Sequence, residues 1–136
     1  MNAQARFAAP AASLADRADS VAATAARHAD SVDRDARFPK EAIEAAREAR
    51  LLGAMAPVSS GGEGASLAAM ADALYRIGGA CASTAMVVAM HQGNVACLAR
   101  HAGEAAFPSE MLARVGADQW LLASSTTEGA TGGAAR

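Results

Sequence analysis

At 136 residues and a formal net charge of -2, the chain has room for one domain with a buried core, and it lacks the basic field that replaces counterions along a nucleic-acid backbone. Hydrophobic residues make up 52% of it but aromatics only 4%. The apolar character therefore comes mostly from alanine, which favours helix while burying little volume, so the helices must pack closely and many want a partner.

The longest apolar run, residues 81–90, is interrupted by His91, Gln92 and Asn94, well short of the roughly 20 residues that span a bilayer. No charged n-region precedes an apolar stretch at the start. These features predict a soluble, cytoplasmic protein without membrane insertion.

In chain order, residues 1–12 carry no period and read as a loose arm. Ser13 with Asp16 three positions later resembles a capping box. Leu14, Ala18, Val21, Ala25, His28 and Val32 then recur at spacings of four and three, giving the first helix one buried stripe. Pro39 after Phe38 marks a second helix, with a narrow face of Ala42, Ala46, Ala49 and Ile43 and a left-handed stop at Gly53.

The turn-rich loop at residues 57–65 lacks the lysine of a P-loop and the glycine spacing of a dinucleotide site. Ser66 caps a third helix in which Leu67, Met70, Ala71, Leu74 and Ile77 share a face, Asp72 pairs with Arg76 at i, i+4, and Gly78-Gly79 forms the end. From Ala82 to Ala99 a fourth helix is apolar nearly all round in its first half, the pattern of a central helix surrounded by others. Gly103 stops it, and a short fifth helix runs from Pro108 to Val115.

Trp120 then begins a strand that enters Ser124, Ser125, Thr126, Thr127 and Glu128 and a glycine turn at residues 129–133. A strand without its sheet would be an exposed edge, so a second, β domain is expected to begin here.

Chemistry-bearing residues are sparse. Cys81 and Cys97 lack zinc or dithiol spacing and read as small apolar packing residues, so no metal site is expected. His28, His91 and His101 form no triad, and no pair of carboxylates faces inward as acid and base. The hydroxyls and amides of residues 124–127 beside a flexible turn suit the polar rim of a flat heterocycle, or alternatively a polar loop between strands.

Phe38-Pro39-Lys40-Glu41, Leu51-Leu52-Gly53-Ala54-Met55-Ala56-Pro57, Gly61-Gly62-Glu63-Gly64, Ile77-Gly78-Gly79-Ala80-Cys81-Ala82-Ser83-Thr84-Ala85 and Ser124 to Glu128 occur in that order. Together they resemble the amino-terminal part of the acyl-CoA dehydrogenase family, from Phe38 to Gly133. The resemblance implies an all-α, helical-bundle amino-terminal domain over residues 13–118. Residues 119–136 would then start a middle β domain that is otherwise absent, with the chain a front fragment of a longer flavoprotein.

It further implies α,β-dehydrogenation of an acyl-CoA thioester: a carboxylate takes the α-proton while hydride moves to FAD, in a homo-oligomer at full length. The base of most members lies in a carboxy-terminal bundle, beyond Arg136, so no catalytic residue is expected in this chain and the chain alone is expected to be inactive.

Carried over by position, Ser125, Thr126 and Thr127 would meet the flavin, and Ser83, Thr84, Val87, Val88 and His91 would line the acyl cavity, with Val88 shortening it. A packed histidine competes with the pocket reading of His91. Alternative readings are a flavin-dependent monooxygenase of the same fold and a non-catalytic helical module.

Overall fold

A computed structural model describes residues 12–101, 103 and 105–124. Five α-helices make up the regular structure of these residues: α1 (Leu14–Arg34), α2 (Lys40–Glu48), α3 (Leu67–Ala80), α4 (Ala82–His101) and α5 (Ala106–Asp118), with a single 3₁₀ turn at Val58–Ser60. The fold class is all-α. Residues 1–11, expected to be an arm, and 125–136 lie outside the described residues.

The local start signals hold. The Ser13 hydroxyl accepts the Asp16 amide and donates to the Asp16 carboxylate at 2.7 Å, and the Ser66 hydroxyl accepts the Ala69 amide. Each side chain thereby satisfies one amide that has no intrahelical partner.

Helix α1 buries Ala18, Val21, Ala25 and Val32, and it packs against both α2 and α3, while α3 packs on α4 and α5 lies on α4 and the 3₁₀ turn. The main core gathers Ala18, Val21, Ile43, Leu51, Leu52, Met70, Ile77 and Val88. A second cluster, Ala56, Val95, Leu112 and Val115, joins α4 to α5. Alanines at Ala18, Ala46 and Ala73, all fully buried, allow the close approach that compensates for small side chains by density.

Several ends differ from expectation. Helix α2 stops at Glu48, and Arg50, not Gly53, takes the left-handed conformation at φ 55°. Its guanidinium donates to the Gly116 carbonyl at 2.7 Å and to Gly61, contacts that hold an arginine where glycine would otherwise be favoured. Gly53 serves close approach instead, because a Cβ there would run into the Gln119 amide.

Helix α3 continues through Gly78 and Gly79 to Ala80, and an extended Cys81 separates it from α4. Its buried line is Met70, Ala73 and Ile77, while Leu67 and Ala71 are exposed. Cys81 packs in the core, whereas Cys97 is exposed. The fifth helix begins two residues before the expected proline.

Helix α4 is covered on one side only: Thr84, Val88, His91, Gln92 and Val95 are buried, but Met86 and Met90 stay 63% and 57% exposed. The expected strand from Trp120 forms no ladder among the described residues. Strand pairing needs a neighbouring strand to supply the opposite hydrogen bonds, and the described residues contain none.

Candidate functional site

The two sides of α4 meet the outgoing chain at residues 119–124. Gln119 closes α5 in the left-handed conformation. Its side-chain oxygen accepts the Gly53 amide at 2.9 Å, its side-chain amide donates to Val115 and Gly116, and its carbonyl accepts from the Arg47 guanidinium. Beyond this corner Leu121 packs against the main core and Leu122 against the α4–α5 cluster.

His91 joins this segment to the loop after α2. Its Nε2 lies 2.8 Å from the Leu52 carbonyl, and the Leu122 amide donates to its Nδ1 at 3.0 Å. A carbonyl can only accept and an amide N–H can only donate, so the ring is the neutral Nε2–H tautomer. Burial pushes its pKa below the ordinary 6.5, partly opposed by the Leu52 carbonyl. The neighbouring Gln92 amide donates to both Leu51 and Leu52.

On the uncovered side of α4 lies an open groove of about 340 Å³, lined by Phe38, Met86, Val87, Met90 and residues 121–124. It is apolar except at the Ser124 end, and among the described residues no carboxylate or histidine lines it. Such a surface suits an acyl chain or one face of a flat ring; it offers no acid or base.

The five α4 residues read as an acyl-cavity lining fall on different sides of the helix. Val87 lines the groove and Ser83 is exposed nearby in sequence. Thr84, Val88 and His91 are fully buried. The positions 84, 88 and 91 stack at i, i+4 and i+7, and that line is the one pressed into the core. Val88 packs in the main cluster and is not among the residues lining the groove. Thr84 Oγ1 is buried without a partner among the described residues. Ser125, Thr126 and Thr127 lie outside the described residues, three positions and fewer past Ser124.

Sequence reasoning passed over Met86 and Met90, whose spacing with Ser83 and Val87 marks the second face, and it passed over Arg17. That arginine, 6% exposed, sits on the buried stripe of α1. It makes two parallel bonds to the Glu63 carboxylate and donates to the carbonyls of Ala49 and Arg50, so it ties the glycine-rich loop to α1. An arginine one position before Ala18 was the available signal.

His28 lies half-buried 3.8 Å from Glu41, and His101 is exposed at the end of α4. No group of three metal-ligating side chains occurs among the described residues. No helix among them is long and apolar enough to cross a membrane.

The family model for the acyl-CoA dehydrogenase N-terminal domain matches residues 11–121. The chain belongs to the acyl-CoA dehydrogenase family. No curated protein and no solved structure matches the chain. The acyl-CoA dehydrogenase match spans all five helices and ends within the segment that His91 and Gln119 hold.

Proposed function

We infer that the chain supplies the amino-terminal helical wall of a flavoprotein that removes a proton and a hydride from adjacent carbons of an acyl-CoA thioester, with FAD as the hydride acceptor. The family match over residues 11–121 carries this reading. The open apolar face of α4, running beside residues 121–124, is the surface that fits it.

Bound FAD supplies the redox chemistry. The residues of this chain bind and shield: Val87, Met86 and Met90 present an apolar wall that excludes water from an acyl chain, and Ser125, Thr126 and Thr127 offer hydroxyls and amides to the rim of the flavin. Ser83 borders the same side of α4, and Thr84, Val88 and His91 shape the wall from beneath. Among the described residues no carboxylate lines the groove, and the part we assign to this domain is to bind and position the acyl chain. The working protein is a soluble homo-oligomer.

The test uses protein produced from the complete reading frame and loaded with FAD, mixed anaerobically with butanoyl-, octanoyl- and hexadecanoyl-CoA. Bleaching of the oxidised flavin band with one equivalent of 2-enoyl-CoA is the expected result. A protein that retains FAD, is bleached by none of the three, and instead consumes oxygen when its flavin is reduced chemically would be the monooxygenase of this fold. A protein that takes up no flavin would be a binding module.

A further inference from the structure

The chain leaving α5 is held at two points of different kind. Gln119 is buried at the corner, and its bonds with Gly53, Val115, Gly116 and the Arg47 guanidinium involve no group that titrates near neutral pH. Beyond that corner, residues 120–124 make one hydrogen bond among the described residues, from the Leu122 amide to His91 Nδ1 at 3.0 Å. Leu121 and Leu122 are only half-buried. A single titratable ring therefore carries the polar part of the attachment.

This bond exists in one protonation state only. Nε2 already carries the proton that it donates to the Leu52 carbonyl, so a second proton must go to Nδ1. Two N–H donors would then face each other at hydrogen-bond distance. The Leu52 bond survives the change, and the Gln92 amide continues to hold the carbonyls of Leu51 and Leu52, so Leu122 is the partner that must move.

Charged side chains on the four helices packed against α4 make their bonds elsewhere. Arg17 binds Glu63, Arg47 binds Glu44 and the Gln119 carbonyl, Arg76 binds Asp72, and Arg114 binds Asp118. Arg50, in the loop after α2, binds the Gly116 carbonyl. Among the described residues no charged group is hydrogen-bonded to the ring.

We propose that His91 is an acid-released latch. Neutral, it docks residues 120–124 on the helical domain; protonated at Nδ1, it frees them, with Gln119 as the hinge. Residues 121–124 form one wall of the groove beside Met86, Val87 and Met90, so the same step opens the groove. Burial of the ring weakens its hold on a proton, which keeps the latch closed at neutral pH and places its release below about pH 6.5.

The test is a titration of the 136-residue chain from pH 7.5 to 4 with three readouts. These are the ¹⁵N shifts of the His91 ring, the Leu122 amide protection factor corrected for intrinsic exchange, and the emission of Trp120. Trp120 is the chain's single tryptophan, and its ring lies 5.7 Å from the Arg114 guanidinium carbon, a contact that release would disturb. Leu122 protection should fall by about tenfold or more at the midpoint of the ring, with Trp120 emission changing alongside. The amides of α1 and α3 and the helical circular dichroism should hold through that midpoint. Leu122 protection that ignores the ring, a protonated Nδ1 at pH 7.5, or helices lost at the same midpoint would each overturn the latch.

His91→Asn puts an acceptor that does not titrate near the position of Nδ1, and it should hold Leu122 across the whole range. His28→Gln and His101→Gln remove the other two histidines and should leave the wild-type transition in place. A Leu122 transition that persists in His91→Asn, or that disappears with His28 or His101, assigns the release to another group and overturns the proposal. Should the Asn variant lose its helices, the wild-type midpoints decide.

Discussion

Arg17 and Glu63 are joined by two parallel hydrogen bonds across the gap between α1 and the glycine-rich loop, one of them 2.8 Å long. The same guanidinium reaches two carbonyls at the end of α2, so one buried cation holds three segments of chain. The side chain of Glu63 remains 24% exposed, which keeps part of its hydration.

Arg17→Ala should leave Glu63 and the carbonyls of Ala49 and Arg50 without their partner. Breaking a buried pair from one side costs about 3–5 kcal/mol, and the partial exposure of Glu63 places this case near the lower end. Glu63→Gln, which keeps one acceptor for the guanidinium, should cost less. Urea unfolding followed by circular dichroism checks the order, with the Arg17→Ala midpoint the lower of the two.

Gly53→Ala should destabilise the corner at Gln119, because the new methyl occupies the space of the Gln119 amide and approaches the Val115 carbonyl. Overpacking of this kind costs about 1–3 kcal/mol. In a Gln119→Ala background the methyl finds room, so the two substitutions together should cost less than the sum of each alone. A double-mutant cycle in urea reads the difference.

His91 makes stability depend on pH. Its folded pKa is pushed below the ordinary 6.5, first by burial, so the unfolded chain binds the proton more readily. The contribution is fully present above about pH 6.5 and is lost as pH falls from there through the lowered folded value. A protonated ring would also turn Nδ1 into a donor facing the Leu122 amide. Comparing unfolding midpoints of the wild type and His91→Asn between pH 7.5 and 5 should show a steeper acid loss in the wild type, confined to the range below about pH 6.5.

Met86 and Met90 are largely exposed and line the groove. Replacing both by lysine should change stability by no more than about 0.5 kcal/mol each, since neither side chain is packed in the core. The FAD-loaded protein should lose efficiency with octanoyl-CoA by tenfold or more, a factor equal to about 1.4 kcal/mol, because a cation replaces the apolar wall. Steady-state kinetics beside a urea titration separates the two effects.

The sequence by itself determined the helices, their polar starts and the family. Ser13 and Ser66 cap amides only three residues away, and the stripe of α1 repeats every three or four positions, so both signals are written within one helical turn. Ordered motifs from Phe38 onward indicated the acyl-CoA dehydrogenase family before any packing was known. Only the tertiary structure decided which stripe of α4 is buried, since a helix apolar nearly all round offers no local preference and the choice falls to its neighbours. It likewise decided the partners that hold the candidate site: Glu63 lies 46 positions from Arg17, Leu122 lies 31 from His91, and Gln119 lies 66 from Gly53. Hydrogen bonding and close approach at such separations depend on where several loops bring the chain together, which no short-range pattern specifies.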